Sequence, residues 1–384
     1  MSILFFISDF ERGGIPRVTL NLARLLMEDG KKVGVMYGNS HGMFYKQFRD
    51  SGCTMISGGG ILRAMMCNLK KETGCFLLLA LCVKILRRLL KSIIGVDLFL
   101  GYAKRAGRLA SKLGYDVIVA TSEGIPLQWL GYVNEGKRLL WIHNDYAHEQ
   151  PENYYDLRKA FMCVDKIVCV AEHVRKAFLS YFPEVEYKTI SLHNAVNDEE
   201  VVRLAYANDV LDERFSRTPF SILSIGRFNE RPKHFSAIPK IAAELNKRGC
   251  LFRWYIIGSG SSAETAILYT AIHQFHMEDL IILLGEKSNP YPFLAQCSLF
   301  ALTSRYEAYP SVLNEALVLG TPIITTDFEG VRELVNESNA CICPIEFFAD
   351  QIQKLTESSK LIHPVDFTHH NAVVLEQFKK IALP

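Results

Sequence analysis

The chain has no cysteine pair at CxxC spacing and no Cys/His set at metal-ligand spacing, although it carries ten cysteines. A zinc module or a thiol redox motif is therefore not expected. Cys53, Cys67, Cys75, Cys82, Cys163, Cys169, Cys250, Cys297, Cys341 and Cys343 read as reduced, mostly buried small hydrophobes. An excess of either charge is also missing: 43 Lys and Arg against 41 Asp and Glu leave a formal net charge of +2. General nucleic-acid binding is disfavoured by that balance. The start, MSILFFISDF, lacks a basic segment ahead of its apolar stretch and carries Asp9 within it. It reads as a buried first strand and not as a signal peptide, so a cytoplasmic protein is expected.

What is present suits a globular enzyme. With 384 residues, 49% hydrophobic and 22% charged, the chain has room for two α/β domains with ample core. The most informative stretch is FALTSRYEAYPSVLNEALVLGTPIITTDFEG, residues 300–330. An apolar run ends at Thr303-Ser304, a polar loop follows, and Leu313, Ala316, Leu317 and Gly320 fall at helical spacing before Ile323-Ile324. The pattern predicts strand, loop, helix, strand. In an open parallel sheet such a loop faces the ligand crevice, and the following helix aims free N–H groups at the same place. An anion-binding helix end flanked by Glu307 and Glu315, which can accept hydrogen bonds from sugar hydroxyls, suggests a nucleotide sugar.

Glu307 and Glu315, separated by seven residues within SRYEAYPSVLNEALVLGTPIITTD, resemble the signature of the retaining family 4 glycosyltransferases, which have the two-domain GT-B fold. The resemblance implies two Rossmann-like domains with an interdomain cleft. It implies Glu315 on the nucleotide ribose, Glu307 near the donor sugar, and backbone N–H groups of Ser311, Val312 and Leu313 on the diphosphate. Ala308 stands where the family has glycine, at a point where the main chain approaches the sugar. In GRFNERPKHF, Arg227 and Lys233 match the family's diphosphate cations, with Lys233 one residue later than usual. A guanidinium and an ammonium there can neutralise charge on a departing diphosphate.

Shorter matches cover the rest. Gly13-Gly14 forms a turn before a helix marked by Pro16, and the resemblance puts Gly14 beside the donor. Lys32–Tyr37, Tyr115–Ala120, Arg138–Ile142 and Asp165–Val170 read as strands. His143, at a strand end in WIHND, is assigned to the donor sugar or the acceptor. LHNAVN, residues 192–197, resembles the link into the second domain. Ser221–Ile225, Trp254–Ile257 and Leu280–Leu284 continue the second sheet, and Gly285 and Lys287 are placed near the nucleotide base. Val331–Val335 begins a helix, and Asp366–Ile381 reads as a final helix that packs back on the first domain. The domains expected are residues 1–195 for the acceptor, 196–365 for the nucleotide sugar, and the tail 366–384. The resemblance is strongest from Arg227 to Val335.

In FLLLALCVKILRRLLKSII, residues 76–94, the cations Lys84, Arg87, Arg88 and Lys91 share one helical face and the rest is apolar. The uncharged run before Lys84 is too short to span a bilayer. Two readings fit the pattern equally. The helix lies on an anionic membrane surface, or it covers the fold with its cations lifted into water.

The sequence thus reads as a retaining glycosyltransferase using a UDP- or GDP-linked sugar donor, without a cofactor or an obligatory metal. Its acceptor is a saccharide, in one form linked to polyprenyl diphosphate, at the cytoplasmic face of the inner membrane in surface-polysaccharide assembly. A GT-B-like binding protein without turnover remains an alternative because of Ala308 and the Arg227-to-Lys233 spacing; a nucleotide-sugar epimerase is a weaker one.

Overall fold

The structure is a computed structural model. It describes residues 1–11, 13–67, 69, 72–95, 97–149, 154–207, 211–217, 219–357 and 364–383. The chain divides into two compact units, Met1–Ala195 with His370–Pro384, and Val196–His369.

The first unit is built on seven parallel strands. In chain order they are β1 (Ser2–Ile7), β2 (Lys32–Tyr37), β3 (Thr54–Ser57), β4 (Val117–Ala120), β5 (Lys137–Ile142), β6 (Lys166–Cys169) and β7 (Thr189–Ser191), and they lie in the order β3-β2-β1-β4-β5-β6-β7. Ile3 to Ile7 are all buried, because a parallel sheet covered by helices on both faces gives its central strands no solvent side. Crossovers are α1 (Gly14–Glu28), α2 (Phe44–Asp50), α3 (Gly60–Met66), α4 (Gly74–Ile94), α5 (Leu98–Lys112), α6 (Ile125–Leu130), α7 (Tyr154–Met162) and α8 (Glu172–Tyr181). The strand order reverses between β1 and β4, so the loops after these two strands open at the unit's switch point.

In the second unit, α9 (Asp198–Ala205) precedes β8 (Phe220–Ile225), α10 (Glu230–Lys233), α11 (Ile238–Lys247), β9 (Phe252–Ile257), α12 (Ser262–Gln274) and β10 (Ile281–Gly285). Then come α13 (Tyr291–Gln296), β11 (Leu299–Leu302), α14 (Ser311–Leu319), β12 (Ile323–Thr325), β13 (Cys341–Ile342) and α15 (Phe348–Glu357). The six strands are parallel in the order β10-β9-β8-β11-β12-β13, reversing between β8 and β11. Local chemistry sets the helix ends. Ser261 and Glu264 form a reciprocal capping box on α12, Asn197 caps α9, and Gly320 closes α14 in the left-handed conformation that glycine tolerates.

The last helix, α16 (Thr368–Ala382), buries Val374 and Phe378. Phe378 stacks on Trp141 with ring centroids 6.1 Å apart, and Lys379 pairs with Asp29 at 2.6 Å. One short element differs from expectation: Val331–Glu333 is a single 3-10 turn and does not continue as an α-helix. Asn336 begins a further turn there, with its side-chain oxygen bonded to the Ser338 N–H.

Candidate nucleotide-sugar site

The second unit's switch point brings together the loop after β8 and the loop between β11 and α14. The two loops are laced by hydrogen bonds. Thr303 Oγ1 donates to the Lys233 carbonyl at 2.9 Å, the Arg305 N–H donates to Pro232 O at 2.7 Å, and Arg305 Nη1 donates to Glu230 O at 2.7 Å. His234 carries the turn with φ 51°, a left-handed conformation unusual for a residue with a side chain.

Two residues expected from the sequence meet here. The Lys233 ammonium forms an ion pair with the Glu307 carboxylate, whose Oε1 also accepts a hydrogen bond from Ser304 Oγ at 2.7 Å. Their side chains keep 19% and 12% exposure. The pair is thus shielded yet reachable, which strengthens its electrostatics relative to a surface ion pair. The stem of Lys233 passes over Gly226, where an added Cβ would lie 3.5 Å from Lys233 Cε. The extra residue between Arg227 and Lys233 forms part of α10 and does not carry the lysine away. Arg227 is exposed, and no ion pair holds it among the described residues.

Ala308 is not among the residues with positive φ. Alanine therefore fits this backbone without strain where a glycine was expected. On α14, Glu315 is buried at 8% exposure and accepts a hydrogen bond from Tyr291 Oη at 3.3 Å. Among the expected diphosphate donors Ser311, Val312 and Leu313, the Leu313 N–H bonds to Pro310 O at 3.0 Å inside the first turn. Ser311 and Val312 remain as that turn's outward N–H groups.

Gly285 has φ 71°, so only its backbone conformation requires glycine. Lys287 pairs with Asp212 at 2.6 Å. Arg214 and then Lys287 hold the Asp212 carboxyl well below the usual carboxylate range. No sequence pattern marked Ser304, which reaches Glu307 within its own loop, or Tyr291 and Asp212, whose contacts with Glu315 and Lys287 join separate segments.

The first unit places Gly14 at the start of α1, where a Cβ at Gly13 or Gly14 would meet nothing within 4 Å. Space beside this main chain is open. His143 follows β5 and lines a small pocket with Phe5, Thr121, Trp141, His193 and Asn194. Its ring stacks on Trp141 at 6.4 Å, and burial lowers its pKa to about 3, so it is a neutral imidazole at pH 7. Glu123, after β4, accepts hydrogen bonds from Asn144 Nδ2 at 3.2 Å and Tyr146 Oη at 3.1 Å. Burial pushes its carboxyl up to about 7 despite these donors. No sequence motif marked Glu123.

On α4 two of the four cations, Lys84 and Arg87, reach protein partners. Lys84 Nζ donates to the Cys67 carbonyl at 2.6 Å, and Arg87 grips both oxygens of Asp97 at 2.8 and 3.1 Å. Lys91 lies 3.7 Å from Asp97, whereas Arg88 is exposed. Ala80 is buried with Ala64 and Cys67, while Leu78, Leu79, Leu81, Ile85, Leu86, Leu89 and Ile93 are exposed. Lys84 and Arg87 turn to protein partners while Arg88 and Lys91 stay largely in solvent, so the helix shows part of each arrangement. Asp97 and the Cys67 carbonyl supply the polar partners that draw Arg87 and Lys84 inward. Among the described residues, no helix is long and apolar enough to cross a membrane.

Residues 219–358 match the family described as "Glycosyl transferases group 1". An uncharacterized glycosyltransferase of Methanocaldococcus jannaschii is 24% identical over 229 residues, 57% of this chain and 53% of that protein. The N-acetylgalactosamine-N,N'-diacetylbacillosaminyl-diphospho-undecaprenol 4-alpha-N-acetylgalactosaminyltransferase of Campylobacter jejuni is 29% identical over 150 residues, 38% of this chain and 37% of that protein. The chain thus spans about half or less of the length of these relatives. Among solved structures, Anabaena HepE in complex with UDP-glucose superposes with a TM-score of 0.66 at 16% identity, over 99% of this chain and 100% of that one. At that identity the likeness concerns the fold, and the two parallel-sheet, Rossmann-like units are those of the GT-B fold.

Proposed function

We propose that the chain is a glycosyltransferase that moves a sugar from a UDP- or GDP-linked donor to an acceptor hydroxyl with retention at the anomeric carbon. The observation that carries this is the Lys233–Glu307 pair with Ser304, on a loop that leads into the N-terminus of α14 at the switch point. Arg227, Lys233 and the N–H groups of Ser311 and Val312 would take the diphosphate, and Glu315 the ribose. Glu307 would hold the donor sugar, the Ala308 main chain would lie beside it, and Gly285 and Lys287 would border the base. Gly14 and His143 are assigned to the saccharide from the first unit.

For retention, a front-face displacement fits these groups best. The acceptor oxygen bonds to the anomeric carbon as the bond to the diphosphate oxygen breaks, and the acceptor's proton passes to that leaving oxygen. Arg227 and Lys233 stabilise the growing negative charge, electrostatic work that a metal ion performs in other transferases. Ala308 in an ordinary conformation and Lys233 in contact with Glu307 both favour turnover over a silent binding protein.

A lipid-linked acceptor draws support from the Campylobacter relative, whose name specifies an undecaprenol-linked substrate. It also draws support from α4 and α5. Between Gly74 and Gly114 the sequence has eight Lys and Arg and one acidic residue, Asp97. The exposed leucines and isoleucines of α4 would enter an anionic bilayer surface, with Arg88 and the exposed Lys104, Arg105, Arg108 and Lys112 of α5 at its headgroups.

The test is a screen of UDP- and GDP-sugars for donor-dependent nucleotide release, with and without polyprenyl-diphosphate-linked saccharides. Release that rises with acceptor is the expected result. Nucleotide binding without release for any pair would replace the transferase reading with the silent one.

A further inference from the structure

Tyr291 is wedged so that its phenol has little freedom. It opens α13, and at 4% exposure it belongs to the second unit's core with Leu294, Leu313 and Leu317. Its N–H bonds to Asn289 Oδ1 at 3.2 Å, and Asn289 Nδ2 in turn donates to Leu204 O on α9 at 2.8 Å. At the other end of α13, Leu294 O accepts from Thr321 Oγ1 at 2.8 Å, which ties this helix to the end of α14. Two anchors thus fix the short helix between α9 and α14. From it, Tyr291 Oη donates to Glu315 Oε1 at 3.3 Å.

A carboxylate can accept several hydrogen bonds, and a donor on one oxygen fixes the plane in which the remaining lone pairs point. A flexible glutamate on a helix would otherwise lose rotamer freedom when it met a ligand. We infer that Tyr291 is a positioning residue for nucleotide recognition, holding the Glu315 carboxylate in the orientation that receives the two hydroxyls of the donor's ribose. This rests on the reading of Glu315 as the ribose acceptor. It adds a residue outside the loop-and-helix pattern, contributed by a separate helix.

The inference is tested by calorimetric titration of wild type, Tyr291→Phe and Glu315→Ala with UDP and GDP and with their 2′,3′-dideoxy counterparts. Because the lost bond is internal to the protein, only its orienting effect enters binding, and Tyr291→Phe should weaken the ribonucleotide roughly three- to tenfold. The dideoxynucleotide, already without the hydroxyls, should bind wild type and Tyr291→Phe alike. Equal weakening of both nucleotides in Tyr291→Phe, or no weakening of either, overturns the positioning role. If Glu315→Ala does not discriminate the two nucleotides, or wild type binds neither ribonucleotide, the ribose reading itself falls, and this inference with it. Discrimination by Glu315 alone leaves that reading intact and removes only Tyr291.

Discussion

Replacing Leu78, Ile85, Leu89 and Ile93 together by serine probes the outward face of α4 without touching its anchors. These side chains are 64%, 55%, 49% and 75% exposed, and their spacing of seven, four and four residues puts them on one stripe. Full burial of such a side chain is worth roughly 1.5–3 kcal/mol. With about half to three quarters of each available, the stripe can contribute on the order of 4–8 kcal/mol to insertion. The cost of immobilising the protein at a surface is common to both proteins, so the quadruple variant should lose at least about a hundredfold in partition coefficient. Its thermal midpoint should stay the same or rise, because these groups make no core contact. Glutamine at exposed Arg88 should cost only about 1 kcal/mol of binding. Glutamine at Arg87 should act differently and lower the melting temperature, since it frees Asp97, which also caps α5 through the Phe99 N–H. The assay is co-sedimentation with phosphatidylethanolamine vesicles containing phosphatidylglycerol, at low and high salt. Wild-type and quadruple-serine proteins that sediment alike would refute the membrane reading of this face.

Three further outcomes are expected. Glu315→Ala should weaken binding of the cognate nucleotide by roughly 1–3 kcal/mol in titration calorimetry, as for other hydrogen bonds to a charged group. Arg227→Ala should lower turnover sharply while wild-type activity survives EDTA; complete loss with EDTA and rescue by Mg²⁺ would contradict the leaving-group assignment. His143, with its pKa lowered to about 3 by burial, binds its proton in the unfolded chain near pH 6.5 but not in the folded one. Its contribution is present above that pH and is lost as pH falls from about 6.5 toward 3. His143→Gln should therefore flatten the acid limb of urea-unfolding stability by a few kcal/mol at most.

The parallel sheets were legible because buried strands are apolar runs between turn residues. Lys32–Tyr37 has the residues and limits expected, and the apolar run that stops at Thr303-Ser304 is β11. The region Asn39 to Gly60 shows no clear pattern, yet it contains α2 and β3. β3 is an edge strand whose residues are exposed or half-buried, so burial left no apolar run to read. At the candidate site the same distinction holds. Glu307 and Glu315 lie within one local pattern, so their spacing could be read directly. The Lys233–Glu307 pair spans 74 positions and Tyr291–Glu315 spans 24; both depend on how the parallel strands place loops side by side, which no local period records.

The orientation of α4 marks a further limit of pattern reading. An amphipathic period states that two faces differ, but it does not state which face the rest of the chain will take. Here the choice follows from what the neighbours offer. The packed side has Ala80 where a leucine would hold the helices apart, with Ala64 and Cys67 opposite it. Asp97 and the Cys67 carbonyl meet Arg87 and Lys84 there. Two cations satisfied by a carboxylate and a carbonyl can turn inward at small desolvation cost, because both remain partly solvated. Leucines packed against that same polar wall would leave Asp97 without its partner. The apolar face is thus left outward by the polarity of the surface beneath it, and seven large apolar side chains exposed on one helix form the kind of patch that marks an interaction surface.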